Sequence, residues 1–299
     1  VKANYSAYYH FQEKGGSLML STAFLLVLGS GFLHSVWNLF TKRSLDKNVF
    51  LWLCQLVGIV LMVPWAIALW DGSQLNSNGW WIIAAASALH GLYTLLLAAA
   101  YSVGDLSQVY PIMRGTSPLL VPLIGVTLLN EQLTLAGYLG VACIVIGIVA
   151  LSNIKLGGAG TSLRAPLLAL AVGLCIASYI VVDKLALGYV PAIVLNTITT
   201  AGNLLALTPA VIRAKGMKRE LRHNGKIMLL CGLIAPGGYL IFLYALSLGP
   251  VSLLAPMREI GTVFGTLMGI LILHEKQGKQ RIWSSVLITG GVIVLGLWG

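Results

Sequence analysis

The chain has 299 residues, of which 58% are hydrophobic and only 9% charged, with a mean hydropathy of +0.88, whereas an ordinary soluble domain is about a quarter charged. This composition excludes a water-soluble fold, and backbone groups that meet no water inside a bilayer must pair within helices or a closed barrel. The period-two alternation of barrel strands is absent, so the apolar runs are read as helices, and the formal charge of +10 is read as loop residues meeting anionic head groups, not as a nucleic-acid surface.

Residues 1–17, VKANYSAYYHFQEKGGS, read as an N-terminal tail ahead of the first apolar run, which effectively begins at Met19. Apolar runs set against charge and turn breaks predict spans near 18–40, 49–70, 79–103, 105–129 and 133–152, each long enough for a membrane helix. Five more follow near 164–187, 190–212, 226–248, 250–273 and 281–298. Gly104-Asp105 and Gly249-Pro250 are turns, because Gly and Pro punctuate otherwise continuous apolar sequence. Spans and short loops consume nearly the whole length, which leaves no room for an appended enzyme domain. Cys54, Cys143, Cys175 and Cys231 all fall inside apolar runs, with no CxxC pair and no His at ligand spacing, so they are packing residues and no metal or cofactor is expected.

The two sets of five spans look alike. YSVGDLSQVYPIMRGTSPLLVPLIGVTLLNEQLT parallels YALSLGPVSLLAPMREIGTVFGTLMGILILHEKQG, pairing Met113-Arg114 with Met257-Arg258 and Glu131 with Glu275, while Pro111 and Pro256 fall one residue out of register. Trp37 stands opposite Tyr179 and Lys42 opposite Lys184. A shared intramembrane Met-Arg does not arise easily by chance, and the reading is an internal duplication, 18–152 and 164–298. An odd number of spans per repeat sets the halves in opposite orientations. Fourteen loop Lys and Arg fall on one side of the resulting topology, six of them between 213 and 226, against Lys2, Lys14 and Lys184 on the other. By the excess of Lys and Arg on cytoplasmic loops, this puts both termini outside.

The ten-span duplicated plan, with a Glu in a tight loop after each fourth span (LLNEQLT and LILHEKQG), resembles the EamA-type carriers of the drug/metabolite transporter superfamily from about Leu20 onward. The resemblance implies an all-α integral membrane protein of ten helices, two inverted five-helix repeats around a central cavity. Spans one, three, four, six, eight and nine would line that cavity, with five and ten peripheral. It also implies transport of amino acids, metabolites, nucleotide sugars or sugar phosphates without ATP, and cytoplasmic termini, opposite to the charge count.

Arg114 and Arg258 lie near the ninth position of the fourth and ninth spans, too deep to reach an interface, where an isolated charge costs roughly 3 kcal/mol. Each must face a wet cavity or a partner. Glu259 is read as the one acid at comparable depth. Neighbouring helix positions point about 100° apart, so Glu259 reaches another helix, such as Arg114, and Arg258 is left without an acidic partner. The prolines ahead of each Arg free backbone carbonyls, which favours a binding site at mid-depth over a packing kink alone. Further cavity candidates are His34, Trp37 and Asn38 in span one, His90, Tyr93 and Tyr101 in span three, Tyr110 in span four, Tyr179 in span six, and Tyr239 and Tyr244 in span eight. Each His serves either an interhelical hydrogen bond or a proton. Lys42 and Lys184 close spans one and six as interface anchors or gate residues. Glu131 and Glu275 are read as caps of the helices they precede, and Gly137 with Gly140 and Gly265 with Gly269 as sites of close helix packing.

No phosphate loop, HExxH or acid–base carboxylate pair appears, so no enzyme is expected. The expectation is a secondary-active transporter of a small polar organic solute (amino acid, carboxylate or phosphorylated metabolite), working by alternating access in contact with membrane lipid. A coupling proton would act through Glu259 or a His, and the internal pseudo-dimer makes a monomer sufficient. The alternatives are a carrier of a lipid-linked phosphate or head group, a non-transporting receptor, and an intramembrane enzyme.

Overall fold

The computed structural model describes residues 16–72, 75–103, 106–151, 164–214, 216–272 and 279–299. The described residues form helices and connections, with no strand among them. In chain order the helices are α1 (Gly16–Arg43), α2 (Lys47–Leu69), α3 (Ser77–Val103), α4 (Leu106–Leu128), α5 (Leu135–Leu151), α6 (Arg164–Ala186), α7 (Ala192–Arg213), α8 (Met217–Leu248), α9 (Val251–Met257), α10 (Ile260–Leu271) and α11 (Lys279–Trp298). Six stretches, within α1, α2, α3, α6, α7 and α8, are long and apolar enough to cross a membrane, and Ile112–Leu128, Leu135–Ala150 and Ile282–Trp298 are shorter apolar helices. Large apolar side chains on the outside, among them Trp65, Trp81, Ile212 and Trp283, form a surface that hydrocarbon would solvate as well as a protein core does.

Helix ends follow local chemistry. Asp46 caps α2 by accepting from the amides of Asn48 and Val49. The helices α7 and α9 start directly after Pro191 and Pro250, where a missing N–H breaks no helix bond. Asn130, with φ 54, closes α4, and the Glu131 amide returns to the Gly125 carbonyl in the manner of a left-handed helix cap.

Two predicted boundaries are corrected. The basic stretch read as a loop over 213–226 is largely helix, because α8 starts at Met217 and presents Lys218, Arg219, Arg222 and Lys226 on exposed turns. This extension is anchored by Glu220, which is fully buried and accepts from the Asp46 amide at 2.9 Å and the Asn224 side chain at 2.6 Å. The run read as one span over 250–273 is two helices, parted at Arg258 and Glu259. There the amides of Arg258, Glu259, Gly261 and Thr262 bond carbonyls three residues back, a tightened turn inside the span.

Contacts sort the connections onto two ends of the bundle. At one end Glu131 meets the first amides of α9, Lys184 meets carbonyls at the close of α8, and Thr134 bonds the Trp298 carbonyl. At the other, Asp46 meets Glu220 and Gln280 donates to the Ala150 carbonyl. Gly140 lies against the backbone of Gly291, as close packing requires, but a Cβ on Gly265 would meet nothing within 4 Å among the described residues, so its expected packing role is corrected. The surroundings of Gly269 and the whole of Glu275 lie outside the described residues, as do residues 1–15 of the tail.

Candidate functional site

The turn between α9 and α10 is positioned by α1. A Cβ on Gly31 would come within 3.0 Å of Ile260 and 3.3 Å of the Arg258 carbonyl, and one on Gly261 within 3.0 Å of the Gly31 carbonyl. The two backbones therefore touch, and the Ser35 hydroxyl donates to the Gly261 carbonyl across the same contact. Arg258 and Glu259 leave this turn in different directions.

Glu259 faces α4 and forms an ion pair with Arg114 at 3.5 Å, while its Oε2 is buried without a hydrogen-bond partner. Arg114 also lies 2.7 Å from His34 Nε2. A guanidinium has no lone pair to offer, so Nε2 accepts and His34 is neutral in this contact, with its proton on Nδ1. Trp37 lies beside it, ring centroids 5.5 Å apart, with its Nε1 buried and unpartnered.

Arg258 faces α8. Its guanidinium lies 4.5 Å from the Phe242 centroid and 5.0 Å from that of Tyr239, a cation–π arrangement. Its Nε is buried without a partner, and no ion pair to Arg258 occurs among the described residues.

Tyr239 carries the cluster further. Its hydroxyl donates to Asp183 Oδ2 at 2.5 Å, and His90 Nε2 reaches the same oxygen at 2.9 Å. Asp183 is 0% exposed, and its Oδ1 has no partner. His90 packs on Tyr179 at 4.3 Å and Tyr239 at 5.3 Å, and Tyr93 packs on Tyr179 at 5.6 Å. Both arginines act electrostatically on His34, Tyr179 and Glu259, so the parts form one neighbourhood built from α1, α3, α4, α6, α8 and the α9–α10 turn.

Of the residues singled out in the sequence, Arg258, Arg114, Glu259, His34, Trp37, His90, Tyr93, Tyr179 and Tyr239 come together here. Asn38 is exposed and makes none of these contacts. Tyr244 is 43% exposed, and its expected place among the cavity residues is corrected: five residues from Tyr239 along a helix is about 140° of rotation. The side chains of Tyr101, Tyr110 and Lys42 lie outside the described residues. Lys184 donates to the carbonyls of Leu246 and Gly249 at 2.5 and 2.8 Å, capping the end of α8. Glu131 accepts from the amides of Val251 and Ser252, both at 2.8 Å, so it caps α9 and not the helix that follows it; Gly125 leaves the space its carboxylate fills.

Asp183 was missed, and the reading of Glu259 as the one deep acid is corrected. Asp183 directly precedes Lys184 near the end of α6, where a charged pair reads as a membrane boundary. The available signal was the apolar sequence on both sides, IVV before and LALGYV after Lys184.

The model of the EamA-like transporter family matches twice, over residues 21–153 and 163–297. A Listeria monocytogenes protein named "Putative sugar uptake protein" is 27% identical over 217 residues, 66% of this chain and 72% of that one. A solved crystal structure superposes with a TM-score of 0.75 at 18% identity, covering 92% of this chain and 96% of the other, a likeness of fold. Apolar helices of membrane-crossing length and a family match along nearly the whole sequence lead to one conclusion: the chain is a multi-pass integral membrane protein and belongs to the EamA-like transporter family.

Proposed function

We propose that this chain is a secondary-active carrier that moves a small polar organic solute by alternating access, with the solute held at Arg258 between two inverted five-helix repeats. Helix pairing supports the repeats. The helix α1 packs on α8 as α6 does on α3, α2 on α8 as α7 on α3, and α4 on α6 as α10 on α1. The helices α2 and α7, α5 and α11, and α4 and α9 pair with one another. Counting α9 and α10 as one span, exchanging each span for the one five later turns each of these pairs into another of them or into itself, as two five-span units divided at 18–152 and 164–298 would. The crossings agree, since α2 meets α8 at Gly58 and Gly232 while α7 meets α3 at Gly202 and Gly91. Five spans per repeat make the halves inverted, a design suited to rocking around a central site.

The observation that carries the solute reading is the Arg258 guanidinium, buried in part, stacked on two aromatic faces and without an acidic partner among the described residues. With Asp183 counted, the cluster holds two arginines and two acids, so the anion argument narrows to Arg258 itself. A carboxylate or phosphate would complete it with paired hydrogen bonds, and the free oxygens of Glu259 and Asp183 would accept from ammonium or hydroxyl groups on the same solute. An amino acid, a carboxylate or a phosphorylated metabolite meets these terms. A neutral sugar is a second reading: orphan donors and acceptors stand in equal number beside aromatic faces, and the Listeria relative's name points the same way.

Thermal-shift binding of the purified protein tests the choice, against amino acids, carboxylates, sugar phosphates and free sugars. Carboxylates or phosphates should raise Tm in the wild type and lose that effect in a folded Arg258→Gln variant. Stabilisation by free sugars alone, retained in Arg258→Gln, would replace the anionic reading with the sugar one.

A further inference from the structure

We propose that Asp183 is a proton-binding carboxylate of this carrier, and that its proton affinity is tied to the occupancy of Arg258 through Tyr239. The proposal rests on the carrier reading above and adds to it the identity of the driving ion and its site.

Asp183 has no exposure, the Tyr239 hydroxyl and His90 Nε2 converge on its Oδ2, and among the described residues no donor reaches Oδ1. A buried charged oxygen without a donor is costly, and such an orphan group calls for an explanation. Among the described residues, α3, α4, α8 and α9 pack on α6. From α3, His90 meets the carboxylate and Tyr93 packs on Tyr179; from α8 comes Tyr239; from α4 and α9 come the charges of Arg114 and Arg258, both acting on Tyr179. On α6 itself, Lys184 is turned to the carbonyls that end α8. Glu259 also carries an unpartnered oxygen, but Arg114 pairs with its carboxylate at 3.5 Å, and the same guanidinium fixes His34 as an acceptor; His90, the other histidine, is bound to Asp183 itself.

Tyr239 joins the two events. Its hydroxyl stabilises the charged form of Asp183, and its ring supports the Arg258 guanidinium. An anion on Arg258 neutralises the positive charge nearest this tyrosine and so weakens the hold on a charged Asp183. The proton affinity of Asp183 then rises, and by reciprocity a proton on Asp183 favours the anion. In the step itself, one O–H bond forms at Oδ1 with a proton from water on the open side. The same bond breaks when the proton returns to water on the other side. Proton and anion travel together.

The test is pH-difference infrared spectroscopy of the full chain in lipid, following the carboxylic-acid C=O band as pH is lowered from about 8 to 5. A band should grow in the wild type and in Glu259→Gln, and be missing in Asp183→Asn. A band that survives in folded Asp183→Asn or vanishes in Glu259→Gln, or no titrating band at all, overturns the proposal. Should Asp183→Asn fail to fold, Tyr239→Phe takes its place: it removes one donor to the charged form and should move the midpoint to higher pH, and an unmoved midpoint counts against the site. Glucose 6-phosphate and L-glutamate serve as anion probes. Whichever raises Tm should raise the midpoint in the wild type and leave it in Arg258→Gln. A probe that binds without moving the midpoint overturns the link to Arg258 while the carrier stands. A band lost in Asp183→Asn with no probe bound keeps the proton site and removes the anionic-solute reading.

Discussion

Arg114 and Arg258 occupy matching positions in their repeats, yet their surroundings assign them different work. Arg114 neutralises Glu259 and donates to His34, whereas Arg258 rests on aromatic rings and has no carboxylate partner among the described residues. Breaking a buried ion pair leaves the surviving charge uncompensated, at about 3–5 kcal/mol. Arg114→Gln should therefore lower the Tm of the purified, solute-free protein well below that of Arg258→Gln. Adding Glu259→Gln to Arg114→Gln should restore part of the loss, because the stranded carboxylate is removed. Equal Tm losses for the two arginines would mean that Arg258 also has a structural partner. The sequence carried this division well, since the 100° offset between adjacent helix positions already separated Glu259 from Arg258. It did not carry Asp183, which stands beside Lys184 near the end of α6, and only the packing of α3 and α8 around α6 makes that position buried.

At the scale of elements, a proline shortly ahead of a deep arginine gave two structures. Pro111 and Pro256 each stand five residues after the first residue of their helix, but α4 continues to Leu128 while the other helix stops at Met257. Proline alone therefore does not make the break. The difference lies in a tertiary contact: Gly261 lies on Gly31 and its carbonyl takes the Ser35 hydroxyl, which fixes the turn after Pro256 against α1. Such contacts between distant helices leave no local pattern, and the same applies to Glu131, whose target on α9 is 120 residues away. Gly31→Ala tests the role of this contact. The added methyl would press on Ile260 and the Gly261 amide, displacing Arg258 from Tyr239 and Phe242. Helix content by circular dichroism should stay unchanged while the Tm gain from anion probes shrinks several-fold. Undiminished binding would show that α1 does not position the site.

For the whole molecule, the charge distribution and the ends of the chain make a direct prediction. Leu20, near the start of α1, lies close to Gly249, and Trp298 is bound by Thr134. Both described ends of the chain thus lie with Glu131 and Lys184, at the end opposite the basic turns of α8, as the alternation of spans read from the sequence requires. Lys218, Arg219, Arg222 and Lys226 are exposed at that opposite end, and an excess of Lys and Arg marks the cytoplasmic face. The resemblance to EamA carriers implies the reverse, with cytoplasmic termini. Exposed single cysteines separate the two: Gln132→Cys beside the Glu131 cap and Arg222→Cys on the α8 extension, each in a background where Cys143, the one native cysteine that is not buried, is replaced by Ala. If charge sets the orientation, a membrane-impermeant maleimide labels Gln132→Cys in intact cells and Arg222→Cys only after permeabilisation. The opposite labelling would place the basic turns outside. The insertion rule would then be overridden in this chain.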